Sequence, residues 1–434
     1  MRTTTHLVRR SACAAALALL ATGVASVPAL AVSTSPATLA PSDGVAGDLF
    51  GESAATSSNG AVTAVGSPEH NSAGAVYVFT GTGTAFSQTA ELTPSKPQAD
   101  EQFGMSVAMS GNGRTLVASA PGAAGAGVSD QGAAYVFTDR AGTWTQIAKL
   151  AVSGTAELGI SVAISANGST IVLGSPFSNK DNGEAFVFTK SGSTYVRTQK
   201  LTASASVKSA ATVLTRAGSA LSAARKPKPA HTPAPTFPAF LGDNTAISSD
   251  GSTIAFGEPN VGVTDVFTKS ASASAWKQTA QLPGGGDSVA VSGKGTIVAA
   301  GQTGLNNLNG EVFVFTKSGR TFTKASTVLP PKNKTIAAFG AGANIGMSAD
   351  GSIIAFGAPT ANAGAVGEAG AVFVATETHG KWALTGTDTE RHPGSGDDLG
   401  GGDQSVAVAG NGSAIVAGAR VANATGQAFV FPVS

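Results

Sequence analysis

Residues 103–121 read Phe103-Gly104-Met105-Ser106-Val107-Ala108-Met109-Ser110-Gly111-Asn112-Gly113-Arg114-Thr115-Leu116-Val117-Ala118-Ser119-Ala120-Pro121. Two short apolar runs flank an Asn-Gly pair, and a small residue and a proline close the stretch. Asn-Gly tolerates positive φ at both central positions of a two-residue type I′ turn, whose twist suits antiparallel strands. Phe103 to Ser110 (strand A) and Thr115 to Ala118 (strand B) are therefore predicted to form a tight hairpin.

Working outward, the same pattern recurs with turn glycines at Gly60, Gly113, Gly168, Gly251, Gly295, Gly351 and Gly412. Six residues after each comes a small residue: Gly66, Ser119, Gly174, Gly257, Gly301, Gly357 and Gly418. Each copy continues into an alternating apolar run opened by glycine, as in Gly74 to Phe79 and Gly183 to Phe188. That period-2 pattern of Val, Phe and Tyr reads as a half-buried strand C. A fourth run, strand D, carries an aromatic ahead of a leucine, as in Phe86 to Leu92 and Trp144 to Leu150. The fold class is all-β: seven units of four antiparallel strands, with no helical pattern between them, describe a seven-bladed β-propeller spanning residues 32–434.

Closure of the ring is readable too. Copy seven ends at strand C with Phe431, so it lacks a strand D. Leu39 precedes Phe50 by the interval that separates Leu92 from Phe103, which gives residues 35–39 the place of that strand. They are expected to pair with residues 426–431 and remove an open sheet edge.

The pairs Phe50-Gly51, Phe103-Gly104 and Leu158-Gly159, followed by Gly-x-Pro, by Gly-Ala-Val-Tyr-Val-Phe and by Trp-Thr-Gln-x-Ala-Lys-Leu, resemble FG-GAP repeats. These are the blade units of the integrin α-chain propeller and of many secreted bacterial proteins. The likeness is strong in copies one to three and weaker in copies five to seven, where Gly285 and Gly402 stand at the Phe position of copies five and seven. It implies an extracellular binding scaffold, often adhesive, without implying one ligand. The family's calcium loops carry several Asp and Asn side chains in the A–B turn. Here those turns hold at most one carboxylate each, as in Ser248-Ser249-Asp250-Gly251. A calcium ion wants six to eight oxygens, so no metal and no other cofactor is expected.

Alternating strands put the A–B and C–D connections on one face of the disc and the B–C and D–A connections on the other. The second set varies in length, and variable loops on a rigid scaffold are where binding residues tend to lie. The candidates on that face are Glu69, His70, Asn71, Asp130, Gln131, Asn179, Lys180, Asp181, Asn182, Asn306, Asn307 and Asn309. The alternative is that they are ordinary polar loop residues. Residues 202–239 form a Pro/Ala-rich insertion between blades three and four. Lys208, Arg216, Arg225, Lys226 and Lys228 make it basic, and it holds no acid. It is either a tether for an anionic cell-wall polymer or acidic partner, or a tolerated linker.

Arg2, Arg9 and Arg10 precede the apolar run Ala14 to Val24 and the small-residue site Ala29-Leu30-Ala31, so residues 1–31 read as a secretory signal peptide. Its removal takes the only cysteine, Cys13, and leaves the remaining basic residues two short of the 26 acidic ones. That balance provides no field for nucleic acid or an anionic membrane, and no later run is long enough to span a bilayer. Glu and His stand in no His-Glu-x-x-His spacing, and no Gly-x-Ser-x-Gly elbow has partners. Asp397, Asp398 and Asp403 read as solvating a Gly-rich loop, the alternative being a cation site or paired carboxylates. The expectation is a secreted, non-catalytic, monomeric scaffold that binds an extracellular protein or glycan. A propeller-based polysaccharide lyase or hydrolase is the alternative.

Overall fold

The computed structural model describes residues 35–125, 130–203, 240–303, 310–331, 345–362, 369–388, 397–402 and 404–433. Among the described residues the strands form seven four-stranded antiparallel sheets, which make a seven-bladed β-propeller. Blade one comprises Ser53–Thr56, Val62–Ser67, Ala75–Thr82 and Ala85–Leu92 as strands A to D, and blade two Val107–Met109, Thr115–Ala120, Ala133–Arg140 and Thr143–Leu150. Blade seven takes Val406–Val408, Ala414–Ala419 and Gln427–Pro432 from the end of the chain and Ala37–Leu39 from its beginning. The register is Ala37 opposite Val430, Thr38 opposite Phe429 and Leu39 opposite Ala428, as the spacing of Leu39 and Phe50 predicts.

Strand C differs from the half-buried expectation. Val76 and Val78 pack into the layer shared with blade two, while Tyr77 and Phe79 pack into the layer shared with blade seven. Both faces are buried because every sheet is sandwiched between two others. The apolar interior is thus divided into inter-blade layers, and at roughly 1.5–3 kcal/mol per buried large side chain these layers drive ring assembly. Strand D, outermost, alternates exposed and half-buried residues.

The A–B turn also departs from the reading. Only the glycine of Asn59-Gly60 has positive φ, at 71°. The turn is wider than two residues: Gly60 N–H donates to Ser57 O, and Ser57 N–H to Val62 O. Ser57 Oγ donates to Asn59 Oδ1 and accepts from Val62 N–H. The same serine clasp recurs at Ser110, Ser165, Ser248, Ser292 and Ser348. A serine that satisfies the turn's backbone removes the need for two left-handed residues. Strand A is shorter than read, Val107–Met109 rather than 103–110, because Gly104 turns the chain at φ 94°.

The same turns close one end of the central channel. Backbone N–H groups of Ser58, Gly111, Ala166, Asp250, Gly293, Ala349 and Asn411 donate to carbonyls of Gly111, Ala166, Ser249, Gly293, Ala349, Gly410 and Ser58, at 2.7–3.1 Å. The bonds pass from blade to blade until the last returns to the first.

Two glycine positions of the repeat have a common cause. A Cβ on Gly66 would collide with the carbonyl of Gly104, and one on Gly74 with the carbonyl of Phe103. Both belong to the next blade, so these glycines set how closely sheets approach. This contact also corrects the alignment of copy seven. Leu399, not Gly402, bridges Gly370, and Gly400 N–H donates to Gly418 O as Gly51 N–H does to Gly66 O. Copy seven keeps an apolar-glycine pair and has extra residues after it.

Candidate functional site

With the A–B end drawn shut, the B–C and D–A face is the one that carries side-chain variety. In blades one to three the B–C loop is strapped by its backbone to the next blade: Asp100 N–H donates to Ser72 O, Glu157 N–H to Asp130 O and Phe240 N–H to Asp181 O. The straps require left-handed backbone, and Asn71, Asp130, Asn179, Lys180 and Asp181 have φ of 49–62°. Asn and Asp reach that region at least cost among residues with a Cβ. Much of the loop polarity is therefore backbone geometry.

The candidates separate accordingly. Gln131 is buried, and its Nε2 donates to Val152 O while its carbonyl accepts from Thr155 Oγ1, so it is an inter-blade clamp. His70 is buried as well, with Nδ1 2.9 Å from Asp48 Oδ2 and Nε2 2.8 Å from Asn71 Nδ2. Neither is an ordinary solvated loop residue. Glu69 accepts from Gln102 Nε2, and Asn182 Nδ2 donates to Asn179 O. Asp398 does not solvate a glycine loop: it accepts from Arg420 Nε at 2.9 Å. Asn306, Asn307 and Asn309, Asp403, and the insertion residues Lys208, Arg216, Arg225, Lys226 and Lys228 lie outside the described residues.

One cleft, of about 660 Å³, opens between residues 152–155 and the outer part of blade three. Asn179, Glu184, Phe186, Arg197, Gln199 and Lys200 line it. Lys200 Nζ is 2.8 Å from Glu184 Oε1, and the Arg197 guanidinium lies 5.9 Å from the Phe186 ring centroid. An aromatic floor beneath a cation, with amides beside it, suits a hydroxylated or acidic ligand.

The cleft has an identifiable origin. In blade one Gln88 Oε1 accepts Ser42 N–H, and in blade two Gln146 Oε1 accepts Ser95 N–H. Each bond clips a D–A loop against its sheet. At the same position blade three has Arg197, and the loop residue is Ser153. A guanidinium has donors only, so it cannot hold an N–H, and the loop stands away. Of the cleft residues the sequence reading singled out Asn179 alone; the signal it missed was a Gln-to-Arg change between copies.

Blade four holds a buried carboxyl pair that the sequence reading also missed. Glu258 stands where the other copies have Ser, Ala or, in copy five, Gln302, and Asp265 where they have Tyr or Phe. Both are fully buried. Burial raises both acids above their ordinary values, and the neighbouring charge of Asp265 lifts Glu258 further, to about 9. Hydrogen bonds from Glu258, Gln281 and Gln278 hold Asp265 down against that burial; a proton on Glu258 makes the two acids into donor and acceptor. Neither carboxyl is exposed to solvent in this structure.

A family model described as FG-GAP repeat matches residues 34–79 and 86–137. No curated protein matches the chain. Among solved structures, a Bacteroides uniformis protein provisionally assigned as a 6-phosphogluconolactonase is similar at 15% identity and a TM-score of 0.51, covering 80% of this chain and 85% of its own. A structural-genomics target from Lactobacillus plantarum is 11% identical, with a TM-score of 0.49 and coverage of 79% and 86%. At such identity the first likeness speaks for the propeller fold alone.

Proposed function

We propose that this FG-GAP propeller is a secreted binding scaffold whose B–C and D–A face takes an extracellular glycan in the blade-three cleft. The observation that carries the reading is the Arg197 substitution, which exchanges a loop clip for an open groove lined by Arg197, Lys200, Gln199 and Asn179. Secretion rests on the leader-like residues 1–31. The buried carboxyl pair, lacking access to the groove, gives no support to catalysis there.

The test is a glycan and protein array probed with wild type and with Arg197→Gln, which restores the clip used in blades one and two. Retention of a glycan by wild type and its loss by Arg197→Gln, with no change in the glycan's length or reducing ends, is the expected result. Equal binding by both proteins defeats the cleft assignment. A shortened or unsaturated product points instead to a lyase or hydrolase.

A further inference from the structure

We propose that blade one carries a site for a divalent transition-metal ion of the zinc class, with His70 Nε2, Asp43 and Glu91 as ligands. The three groups come from a D–A loop, a B–C loop and the end of strand D, and their ligand atoms lie within 4.8 Å of one another. His70 Nε2 is 3.6 Å from Asp43 Oδ2 and 4.0 Å from Glu91 Oε1.

The surroundings prepare each ligand. Asp48 Oδ2 sits 2.9 Å from His70 Nδ1 and is itself fixed by Val45 N–H. A carboxylate on the far nitrogen orients the ring and turns the Nε2 lone pair toward the acids, the arrangement that supports metal-binding histidines. Tyr77 Oη donates to Asp43 Oδ1 at 2.8 Å and leaves Oδ2 facing His70. Asn71 Nδ2 now covers Nε2, and its exposed side chain swings aside on binding.

Charge argues the same way. Asp43, Asp48 and Glu91 converge on one imidazole, and among the described residues no Lys or Arg pairs with them. Blade two resolves the equivalent place differently. Lys149 stands where blade one has Glu91, and its ammonium lies 5.3 Å from the centroid of Tyr135, the counterpart of Tyr77. Blade one has exchanged that built-in cation for a third carboxylate.

One imidazole and two carboxylates fit zinc-class ions better than calcium, which takes oxygen ligands. Tetrahedral zinc separates its ligand atoms by about 3.4 Å. Asp43 and Glu91, being partly exposed, close the small excess by rotation. This departs from the sequence-based expectation of no metal, which rested on the few carboxylates in the A–B turns and on local His spacing; these ligands meet only through the fold.

The test is calorimetric titration of the chelator-treated, untagged mature chain with Zn²⁺ and with Ca²⁺, together with Co²⁺ absorption in the visible. Wild type is expected to bind one Zn²⁺ and give a Co²⁺ ligand-field band. Glu91→Gln should weaken Zn²⁺ at least tenfold, and Glu91→Lys, which copies blade two, should abolish it. Both variants alter a partly exposed side chain, and unchanged circular dichroism would establish that they fold. His70→Gln should remove the Co²⁺ band. Absence of Zn²⁺ binding in wild type, affinity unchanged in Glu91→Lys, or preference for Ca²⁺ each overturns the proposal. None of these outcomes bears on the blade-three cleft.

Discussion

Arg420 Nη1, in the last blade, lies 3.1 Å from both carboxylate oxygens of Glu52, in the first. The arginine's Nε holds Asp398 as well. Glu52 is almost fully buried, whereas Arg420 keeps about a third of its side chain exposed. Breaking a buried pair strands a charge at a cost of 3–5 kcal/mol, and the exposure of Arg420 lowers that. Arg420→Ala should therefore cost about 2 kcal/mol in urea unfolding. The Glu52→Gln, Arg420→Ala double variant should cost less than the two singles together.

The strand latch is a second closure between the same ends. Leu39 is buried against Val430 and Phe50 in the layer between blades seven and one. Leu39→Ala should lose roughly 2–4 kcal/mol. Deleting residues 32–42 should go further and leave the edge of Gln427–Pro432 bare, so light scattering should rise on warming. Unchanged stability after that deletion would mean the latch does not hold the ring.

The blade-four acids predict a pH dependence. Their folded values lie above the ordinary ones, so the folded chain holds protons that the unfolded chain has released. This stabilisation is complete below about pH 4, where both states are protonated alike. It is lost as pH rises through the folded value of Glu258, about 9. Wild type should thus lose melting temperature between pH 5 and pH 9 by roughly 3–5 °C more than Glu258→Gln, which keeps a neutral side chain there. Parallel curves for the two proteins would show that Glu258 is ionised in the fold.

Gly66 offers a packing test. A methyl at this position meets the carbonyl of Gly104 in the next blade. Backbone cannot rotate away as a side chain can, so Gly66→Ala should cost about 3 kcal/mol, at the upper end of overpacking losses. Gly83→Ala, in an open C–D turn with nothing within 4 Å, should lose less, through its φ of 59° alone. Denaturant midpoints of the two variants provide the comparison.

The repeat was legible in the sequence because every copy solves the same problem with the same residues. Turn glycines, close-approach glycines and strand C patterns recur at fixed spacing, and so the blades and the latch could be placed. Turn type was not legible: Asn59-Gly60 suits a type I′ turn by itself, and Ser57 Oγ decides otherwise by satisfying the backbone. The Phe position of copy seven was misplaced because counting back from Gly412 ignores the extra residues after Leu399. Among the binding candidates, the burial of His70 and Gln131 was not legible, since a local stretch carries no sign that its neighbours bury it.

What the chain order alone determined is the number of sheets, their strand sequence and the partner that closes the ring. These depend on periodicity and on short-range turn and packing chemistry. The fold alone decided which side chains meet. Asp43, His70 and Glu91 gather across three segments, Glu258 meets Asp265 in a buried layer, and Arg197 opens a cleft only because a loop from another stretch lies opposite it. Sites of this kind arise from distances in space, to which spacing along the chain sets no bound.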